Sequence, residues 1–486
     1  MCFGVFVYIK ILLLSSLNYI NMKNLFLVVS IFLSTVNYSQ TQQPFPANKV
    51  YSYGLMATSK SSQHALNNYN TWKTNFVEDC NNGRKRIKFD DPSKTVSEGI
   101  GYGMLLAVYS ADKTLFDGLW LYYKDNLNSN GVMNWKINGC SGTAEYNGAT
   151  DAELDAAFAL IVADYQWASS GSINYKNDAI TLITAIKTHE VEVNTYILKP
   201  GDQFGGSQIT NPSYFSPAYY RAFGAFTNDS AFWNQVAAKS YTVINNNLTV
   251  NNAVGGLVSD WCQATGAYSP QANGYAGQGK LYSYDAARTP WRIAVDYAWY
   301  GNADAKNYSK KSSDFVRVNL GGSANIKDGY NQNGTLSGQW HNATFVGAFA
   351  CAAMAGENQL HLDTSYDDLN ALGEPDRYFN QTLKTLYLFL LTGNFYLPPN
   401  ATLSNDDFDV EKSTVTLYPN PSADKFTVFA PENSVITVLS SLGNLISEQK
   451  TTSENTEINL ANKASGIYLI KISNDNKSIT KKVILK

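Results

Sequence analysis

This chain of 486 residues has few of the residue types that build metal centres or highly charged surfaces. It contains five cysteines and four histidines, and only 16% of its residues are charged. No Cys-x-x-Cys pair occurs and the histidines are scattered, so the sequence predicts no zinc site. The formal net charge of −3 excludes the basic surface with which proteins bind nucleic acid or anionic membranes.

The cysteines are too few for a disulfide framework. Cys2 falls in an expected leader, which leaves Cys80, Cys140, Cys262 and Cys351. An exported protein can form one disulfide from such a set. Cys80 and Cys140 lie in loop-like stretches and are the preferred pair, with free buried cysteines as the alternative.

An apolar run near the N-terminus is too short to span a membrane. It begins with Met22 and Lys23, continues through a short apolar core and ends in small and polar residues. That order is typical of a signal peptide. We therefore expect residues 1–39 to be a leader, with Met22 as the true start and cleavage near Ser39 or Gln40. A leader predicts export from the cytoplasm.

Helical periodicity dominates residues 43–397. Most of the candidate helices have apolar residues at positions i, i+3, i+4 and i+7. Loops rich in Asn, Gly and Ser separate them, and strand patterns are few. The sequence predicts one large all-α domain of paired helices. The eight candidate helices cover residues 101–111, 150–167, 175–191, 212–226, 229–247, 290–301, 342–355 and 377–395.

The pattern changes after residue 397. Residues 398–412 are rich in Pro, Asn and Asp, which is typical of a linker. In residues 413–486, short alternating segments separated by turn residues predict a small β-sandwich. This segment has no carboxylate cluster and no nucleophile motif, so we expect a noncatalytic appendage.

Three stretches of the helical region hold acidic residues suited to catalysis. TVSEGIGYGM places Glu98 among glycines, which let backbone or ligand approach closely. ATDAELDAAF places Asp151 in a first helical turn, where an acidic residue also simply favours the helix dipole. YDAARTPWR places Asp285 and Arg288 in the turn ahead of a helix that begins at Thr289 and a proline.

Hydrolysis of a glycosidic bond needs two carboxyl groups with different pKa values. Burial raises a carboxyl pKa, so an acid at Glu98 requires apolar neighbours such as Tyr102. The guanidinium of Arg288 lowers the pKa of an adjacent carboxyl group, which suits a base at Asp285 and equally a structural ion pair. Trp135 offers a flat face for a sugar ring, although a lone Trp is more often a core residue.

Together these stretches resemble glycoside hydrolase family 8. The motifs SEGIGYGM, FDGLW, NWKI, ATDAELDAA, NPSY and YDAARTPWR occur in the family's order over roughly residues 45–396. The resemblance implies an (α/α)6 barrel of six helical hairpins with an open acidic cleft across one end. It also implies hydrolysis of a β-1,4-linked polysaccharide by single displacement, with inversion at the anomeric carbon.

The resemblance also implies roles for individual residues. Glu98 is similar to the general acid that protonates the leaving oxygen, and Asp285 to the base that activates water. Asp151 resembles the third carboxylate of the family, which holds the distorted sugar beside the scissile bond. Tyr214 of NPSY and Arg288 resemble the residues that support the water, the base and that sugar.

Two further positions are informative. Trp135 resembles a residue that stacks on the glycone side, and Glu153 stands where the family signature more often has Asp, so it receives no role. Asp285 in YDAAR is typical of the subgroup that contains cellulases and xylanases. We therefore expect a secreted inverting endo-β-1,4-glucanase, with an endo-β-1,4-xylanase as the alternative. A chitosanase and a noncatalytic glycan-binding surface protein are further alternatives.

The tail has a resemblance of its own. LYPNPSADKFTV and SGIYLIKIS followed by KKVILK are similar to the type A C-terminal sorting domain of the type IX secretion system. The resemblance covers about residues 413–486 and implies passage across an outer membrane through the secretion machinery. A carbohydrate-binding module is the alternative, which the absence of Trp from this segment disfavours. We expect a secreted or surface-held monomer.

Overall fold

The computed structural model of this chain consists of a helical region followed by a β-rich region, and we describe each by itself. The expected leader and residues 402–412 of the expected linker lie outside the described residues. The described residues are 41–273, 279–373, 377–401, 416–430, 432–440, 444–474 and 477–486.

Twelve α-helices lie within the described part of residues 41–401. No helix in the described ranges is long and apolar enough to cross a bilayer. The helices are α1 (Ser62–Phe76), α2 (Ser97–Tyr109), α3 (Lys113–Asp125), α4 (Thr150–Trp167), α5 (Tyr175–Ala185), α6 (Pro217–Phe226), α7 (Ser230–Val250), α8 (Thr289–Tyr300), α9 (Ala303–Asp314), α10 (Ala343–Ala353), α11 (Gln359–Ala371) and α12 (Tyr378–Leu391).

The even-numbered helices form an inner layer. Each contacts the next even-numbered helix, and α12 contacts α2, so the six contacts close on themselves. Each odd-numbered helix packs mainly on one inner helix: α3 on α2, α5 on α4, α7 on α6, α9 on α8, α11 on α10 and α1 on α12. In addition, α9 contacts α10 and α11 contacts α12. Because each outer helix returns the chain, the inner helices all run in one direction and their N-termini lie at one end.

All six inner helices are among the eight predicted stretches, but α1, α3, α9 and α11 are not. These outer helices bury a single stripe, and in α9 that stripe consists of Ala, Tyr and Ser residues, which gives a weak apolar signal. One predicted helix is also wrong in extent. Residues 212–226 divide into a 3-10 turn, Pro212–Tyr214, and α6, because Ser216 precedes Pro217 and takes a non-helical conformation.

Five short strands in the helical region did not follow from the sequence pattern. Two antiparallel sheets result, with strand orders β1-β2 and β3-β4-β5. Cys80 directly follows β1 and Cys140 follows β4, and a disulfide joins them, which confirms the preferred pair. Cys262 and Cys351 are buried thiols. The strands are β1 (Val77–Asp79), β2 (Lys85–Ile87), β3 (Lys94–Val96), β4 (Lys136–Asn138) and β5 (Thr143–Glu145).

The glycines of α2 set its distance from two inner neighbours. A Cβ atom on Gly101 would lie 2.9 Å from the carbonyl oxygen of Ala152 in α4. A Cβ atom on Gly99 would lie 3.0 Å from the hydroxyl oxygen of Tyr378 in α12. The expected close approach of backbone is therefore present at Gly101, whereas the Tyr378 ring occupies the space beside Gly99.

The β-rich region has two antiparallel sheets, with strand orders β10-β7-β6 and β12-β11-β8-β9. Val428 and Ile458 of the first sheet belong to the same apolar cluster as Val438, Ile470 and Val483 of the second, so both sheets contribute to one core. The strands are β6 (Thr416–Tyr418), β7 (Lys425–Phe429), β8 (Val435–Ser440), β9 (Leu445–Lys450), β10 (Asn455–Asn459), β11 (Gly466–Asn474) and β12 (Lys477–Leu485).

The substitution Gly101→Ala tests the close packing of α2 on α4. We expect it to lower the free energy of unfolding by about 1–3 kcal/mol, because the added methyl group meets main chain that cannot move aside. Denaturant unfolding measures the change. Gly171→Ala is the matched control, since a Cβ atom there meets nothing within 4 Å. Equal stability of the two variants would contradict the packing argument.

Candidate active site

The N-terminal ends of three inner helices hold the predicted acidic residues. Glu98 is the second residue of α2, and Asp151 is the second residue of α4. Asp285 directly precedes the 3-10 turn Ala286–Arg288, which leads into α8. Since these N-termini lie at one end of the helical region, residues far apart in sequence become neighbours there.

Arg288 connects all three carboxyl groups. Its Nη1 donates to Glu98 Oε2 and to Asp151 Oδ2, both at 2.7 Å. Its Nη2 donates to Asp285 Oδ1 at 2.8 Å and to Ser213 Oγ at 3.0 Å. The side chain is only 2% exposed, so a buried cation compensates the charge that gathers at this end of the helices.

Glu98 is held in a mostly buried environment. Its side chain is 17% exposed, and Tyr378 donates its hydroxyl proton to Glu98 Oε1 at 2.8 Å. Burial raises the pKa of Glu98 to about 7 and outweighs the lowering by Arg288, while nearby Asp151 adds to the rise. Glu98 thus keeps its proton in a large fraction of molecules at neutral pH.

Asp151 is more deeply buried, with 3% of its side chain exposed. Burial raises its pKa to about 6, and the positive charges of Arg288 and Arg292 oppose that rise. Oδ1 accepts the main-chain N–H of Ala152 at 3.0 Å, and Oδ2 accepts from Arg288. Both oxygens are therefore held in place from within the helical end.

Asp285 differs from the other two in its exposure. Its side chain is 35% exposed, so water reaches the carboxylate. Oδ1 accepts from Arg288, and Oδ2 accepts from Trp261 Nε1 at 3.0 Å. One donor on each oxygen fixes the plane of this accessible carboxyl group.

A cavity of about 500 Å³ opens beside these groups. Glu98 and Asp285 both contribute to its wall, and aromatic rings supply apolar surface of the kind on which sugars stack. Within the described residues, no group of three or more His, Cys, Asp or Glu side chains is arranged to hold a metal ion. The wall includes Phe89, Glu98, Asp260, Tyr284, Asp285 and Phe379.

The two remaining predicted residues also lie near this cluster. The half-buried ring of Tyr214 has its centroid 5.2 Å from Arg288 Cζ. Trp135 accepts the main-chain N–H of Ser97 at 2.9 Å through its own carbonyl, so its backbone adjoins the start of α2. Its half-buried ring has Lys136 Nζ 4.9 Å from the centroid.

Three residues of the site did not follow from sequence reasoning. Tyr378 contacts Glu98, Trp261 contacts Asp285, and Asp260 accepts the main-chain N–H groups of Ser283 and Ala286 on either side of Asp285. The dipeptide Asp260–Trp261 in VSDW combines an acidic residue with an aromatic one, as sugar-binding sites often do. That pattern is short and would not have been specific by itself.

Comparison with known proteins decides the family. The family model described as Glycosyl hydrolases family 8 matches residues 43–393. The chain is 41% identical to Endoglucanase 2 of Ruminiclostridium josui over 387 residues. The aligned residues cover 77% of this chain and 82% of that protein. The chain belongs to glycosyl hydrolase family 8. It is also 40% identical over 367 residues to Endoglucanase A of Acetivibrio thermocellus, covering 73% of this chain and 75% of that one.

Solved structures support the same assignment. A β-1,3-1,4-glucanase from Paenibacillus sp. X4 superposes with a TM-score of 0.69 at 31% identity, covering 73% of this chain and 99% of that chain. A cold-adapted family 8 xylanase superposes with a TM-score of 0.63 at 25% identity, and the superposed residues cover 75% of this chain and 99% of that chain. This family 8 protein is a glycoside hydrolase, which confirms the predicted class of enzyme.

The tail of this family 8 enzyme is a sorting domain. The model described as Secretion system C-terminal sorting domain matches residues 416–486. The resemblance to a secretion domain is therefore confirmed, in preference to a carbohydrate-binding module. It marks the enzyme for secretion to the cell surface or the extracellular space, and it implies the type IX secretion system.

This family 8 enzyme also has two buried glutamates, Glu153 and Glu190, close enough to Asp151 to interact with it electrostatically. Glu153 is fully buried, and its Oε1 accepts the Tyr123 hydroxyl at 3.0 Å. Glu190 is also fully buried, in the π-helical turn Ile186–Glu190 that extends α5. Among the described residues neither is in an ion pair. Burial raises the pKa of both well above the usual value, because an ionised carboxylate there would be shielded from water.

Glu190 predicts a pH dependence of stability. An acid that is neutral when folded and ionised when unfolded costs about 1.4 kcal/mol per pH unit above its unfolded pKa of about 4.3, until it ionises in the folded state. The contribution of Glu190 to stability should therefore fall as the pH rises from about 4.3, and Glu190→Gln should remove that contribution from the slope of stability against pH.

Denaturant unfolding between pH 5 and pH 8 measures both slopes. The matched control is Glu357→Gln, because the Glu357 side chain is 72% exposed and its contact with Lys306 at 3.7 Å is a surface ion pair of little energetic weight. We expect this control to keep the slope of the unsubstituted enzyme. A Glu190→Gln slope equal to that of the control would show that Glu190 is ionised in the folded protein.

Proposed function

We propose that this protein is a secreted inverting endo-glycosidase that hydrolyses internal β-1,4 bonds of a glucan, either cellulose or a mixed-linkage glucan. The observation that carries the proposal is the pair Glu98 and Asp285. Both line one cavity and both bind one guanidinium, but one is buried and the other is accessible to water.

The two environments suit two different catalytic roles. Glu98, with a pKa of about 7, is the general acid that protonates the leaving glycosidic oxygen. Asp285 is the base that takes a proton from the attacking water. Inversion requires room for that water, with the two carboxyl groups about 6.5–9.5 Å apart. Arg288 supports such a separation, because its two terminal nitrogens bind the two carboxyl groups separately.

The other predicted residues act on the sugar that reacts. Asp151 accepts hydrogen bonds from the hydroxyl groups of the distorted sugar beside the scissile bond. Arg288 keeps Asp151 and Asp285 in place, and Tyr214, whose ring adjoins the Arg288 guanidinium, supports the base and the water. Trp135 stacks on a sugar of the glycone side.

We further infer that the six helical hairpins form an (α/α)6 barrel. The closed contacts among the inner helices and the likeness to family 8 structures support this architecture. We also propose that the chain divides into a catalytic domain at 43–397, a linker at 398–412 and a β-sandwich sorting domain at 413–486. The shared core of its two sheets supports the sandwich.

The substrate class follows from the relatives. Two relatives named endoglucanases are 40–41% identical to this chain, and the structure named as a β-1,3-1,4-glucanase is 31% identical. The xylanase structure is 25% identical, so endo-β-1,4-xylanase activity is the second candidate. We propose that the enzyme acts as a monomer without a cofactor, with the type IX machinery as its protein partner during export.

Release of reducing sugar by the purified full-length protein tests the proposal. The substrates are carboxymethylcellulose, mixed-linkage β-glucan, xylan and chitosan. Glu98→Gln and Asp285→Asn should each lower turnover by at least about 100-fold with the fold retained, since an amide neither donates the acidic proton nor accepts one from water. Glu357→Gln, with a substitution on the exposed surface, should keep full activity.

Each result has a defined meaning. Activity on the glucans that both variants lose supports the glucanase, and a preference for xylan supports the second candidate. Proton NMR of the first products should detect the α-anomer, as inversion of a β-bond requires. Retained activity in Glu98→Gln or in Asp285→Asn would remove that residue from its role. Initial release of the β-anomer would overturn inversion.

A further inference from the structure

Two consecutive residues, Asp260 and Trp261, hold Asp285 in place through different hydrogen bonds. Trp261 donates its indole N–H to Asp285 Oδ2 at 3.0 Å. Asp260 Oδ1 accepts the main-chain N–H of Ser283 at 3.0 Å and that of Ala286 at 2.8 Å. One residue thus holds the carboxylate itself, and the other holds the chain on both sides of it.

Asp260 lies at a buried position, where an ionised carboxylate lowers the stability of the folded protein. The residue is only 3% exposed, and burial together with the negative charge of Asp285 raises its pKa well above the usual value. An apolar residue would fill the space without that cost, but it would leave the N–H groups of Ser283 and Ala286 without an acceptor. The carboxyl group therefore has a local task, which is to shape the turn that presents Asp285.

The segment that carries Asp260 and Trp261 is itself well anchored. The main-chain N–H of Asp260 donates to the carbonyl of Leu281 at 2.8 Å, and that of Trp261 donates to Gly279 at 3.1 Å. Trp261 is 5% exposed, and its ring centroid lies 6.3 Å from that of Tyr214. These contacts hold Asp260 and Trp261 in place. Their hydrogen bonds to Asp285 and to its turn therefore fix the direction of the Asp285 carboxyl group.

We infer that Asp260 and Trp261 are positioning residues for Asp285, Trp261 by holding Oδ2 and Asp260 by holding the turn from Ser283 to Ala286. This inference rests on the proposed role of Asp285 as the base. Arg288 holds Oδ1, so Trp261 completes the set of donors that fixes the carboxylate plane. Asp285 also lines the cavity, where the attacking water would bind.

Trp261→Phe tests the direct contact, because phenylalanine keeps an aromatic ring but has no N–H. We expect kcat to fall roughly 10- to 100-fold, the effect of one hydrogen bond to a charged group, with little change in KM.

Trp120→Phe is the matched control. Trp120 is also buried and donates its indole N–H to an aspartate, Asp178 Oδ2, at 2.6 Å, but this contact joins the outer helices α3 and α5. This variant loses the same kind of bond and should keep both kcat and KM. Identical kinetics for the two variants would overturn the role of Trp261.

Two substitutions test Asp260. Asp260→Asn keeps a carbonyl oxygen for the two N–H groups and should stay within about tenfold of full kcat, whereas Asp260→Ala removes the acceptor and should lose about 100-fold. If Asp260→Ala does not fold, Asp260→Asn and Trp261→Phe still test the inference. Equal loss in folded Asp260→Asn and Asp260→Ala would show that an acceptor oxygen for the two N–H groups is not what Asp260 supplies, which contradicts a positioning role.

The inference and the proposed function fail in different ways. An active Asp285→Asn variant would remove the base assignment and, with it, the inference. An inactive Asp285→Asn variant together with unchanged Trp261→Phe and Asp260→Ala enzymes would overturn the positioning role alone. Circular dichroism of each variant confirms that the compared proteins are folded.

Discussion

The buried guanidinium of Arg288 is the interaction on which the rest of the site depends. It lies where the starts of α2, α4 and α8 meet, and it binds Glu98, Asp151 and Asp285 at once. Without a cation, three carboxyl groups could not gather in a space that is mostly shielded from water. The charge of one arginine therefore stabilises both the convergence of three inner helices and the grouping of their acidic residues.

Depth of burial then divides the carboxyl groups. Glu98 and Asp151 share the same cation with Asp285, so the cation alone cannot make them different. Burial raises the pKa of Glu98 to about 7, whereas the Asp285 side chain is 35% exposed and has a donor on each oxygen. One fold thus holds a buried carboxyl group and an accessible one on the two terminal nitrogens of one guanidinium, and our proposal of inverting hydrolysis rests on this arrangement.

The sequence predicted the inner helices better than the outer ones for a physical reason. Inner helices such as α2 and α4 are buried on nearly all sides, so their sequences are almost continuously apolar and easily recognised. Outer helices such as α9 need only one narrow apolar stripe, and their polar residues resemble those of loops. The three-residue strands were not predicted either, because they are too short for alternation to be visible.

By itself, the sequence determined the family, the order of the motifs, the acidic residues and the division into a helical and a β-rich region. It also indicated the Cys80–Cys140 pair. Only the tertiary structure decided that Tyr378 contacts Glu98, across 280 positions of the chain, and that Asp260 and Trp261 hold the turn around Asp285. The reason is that motifs and periodicity are local properties, whereas these contacts arise when the inner helices close and their N-termini meet.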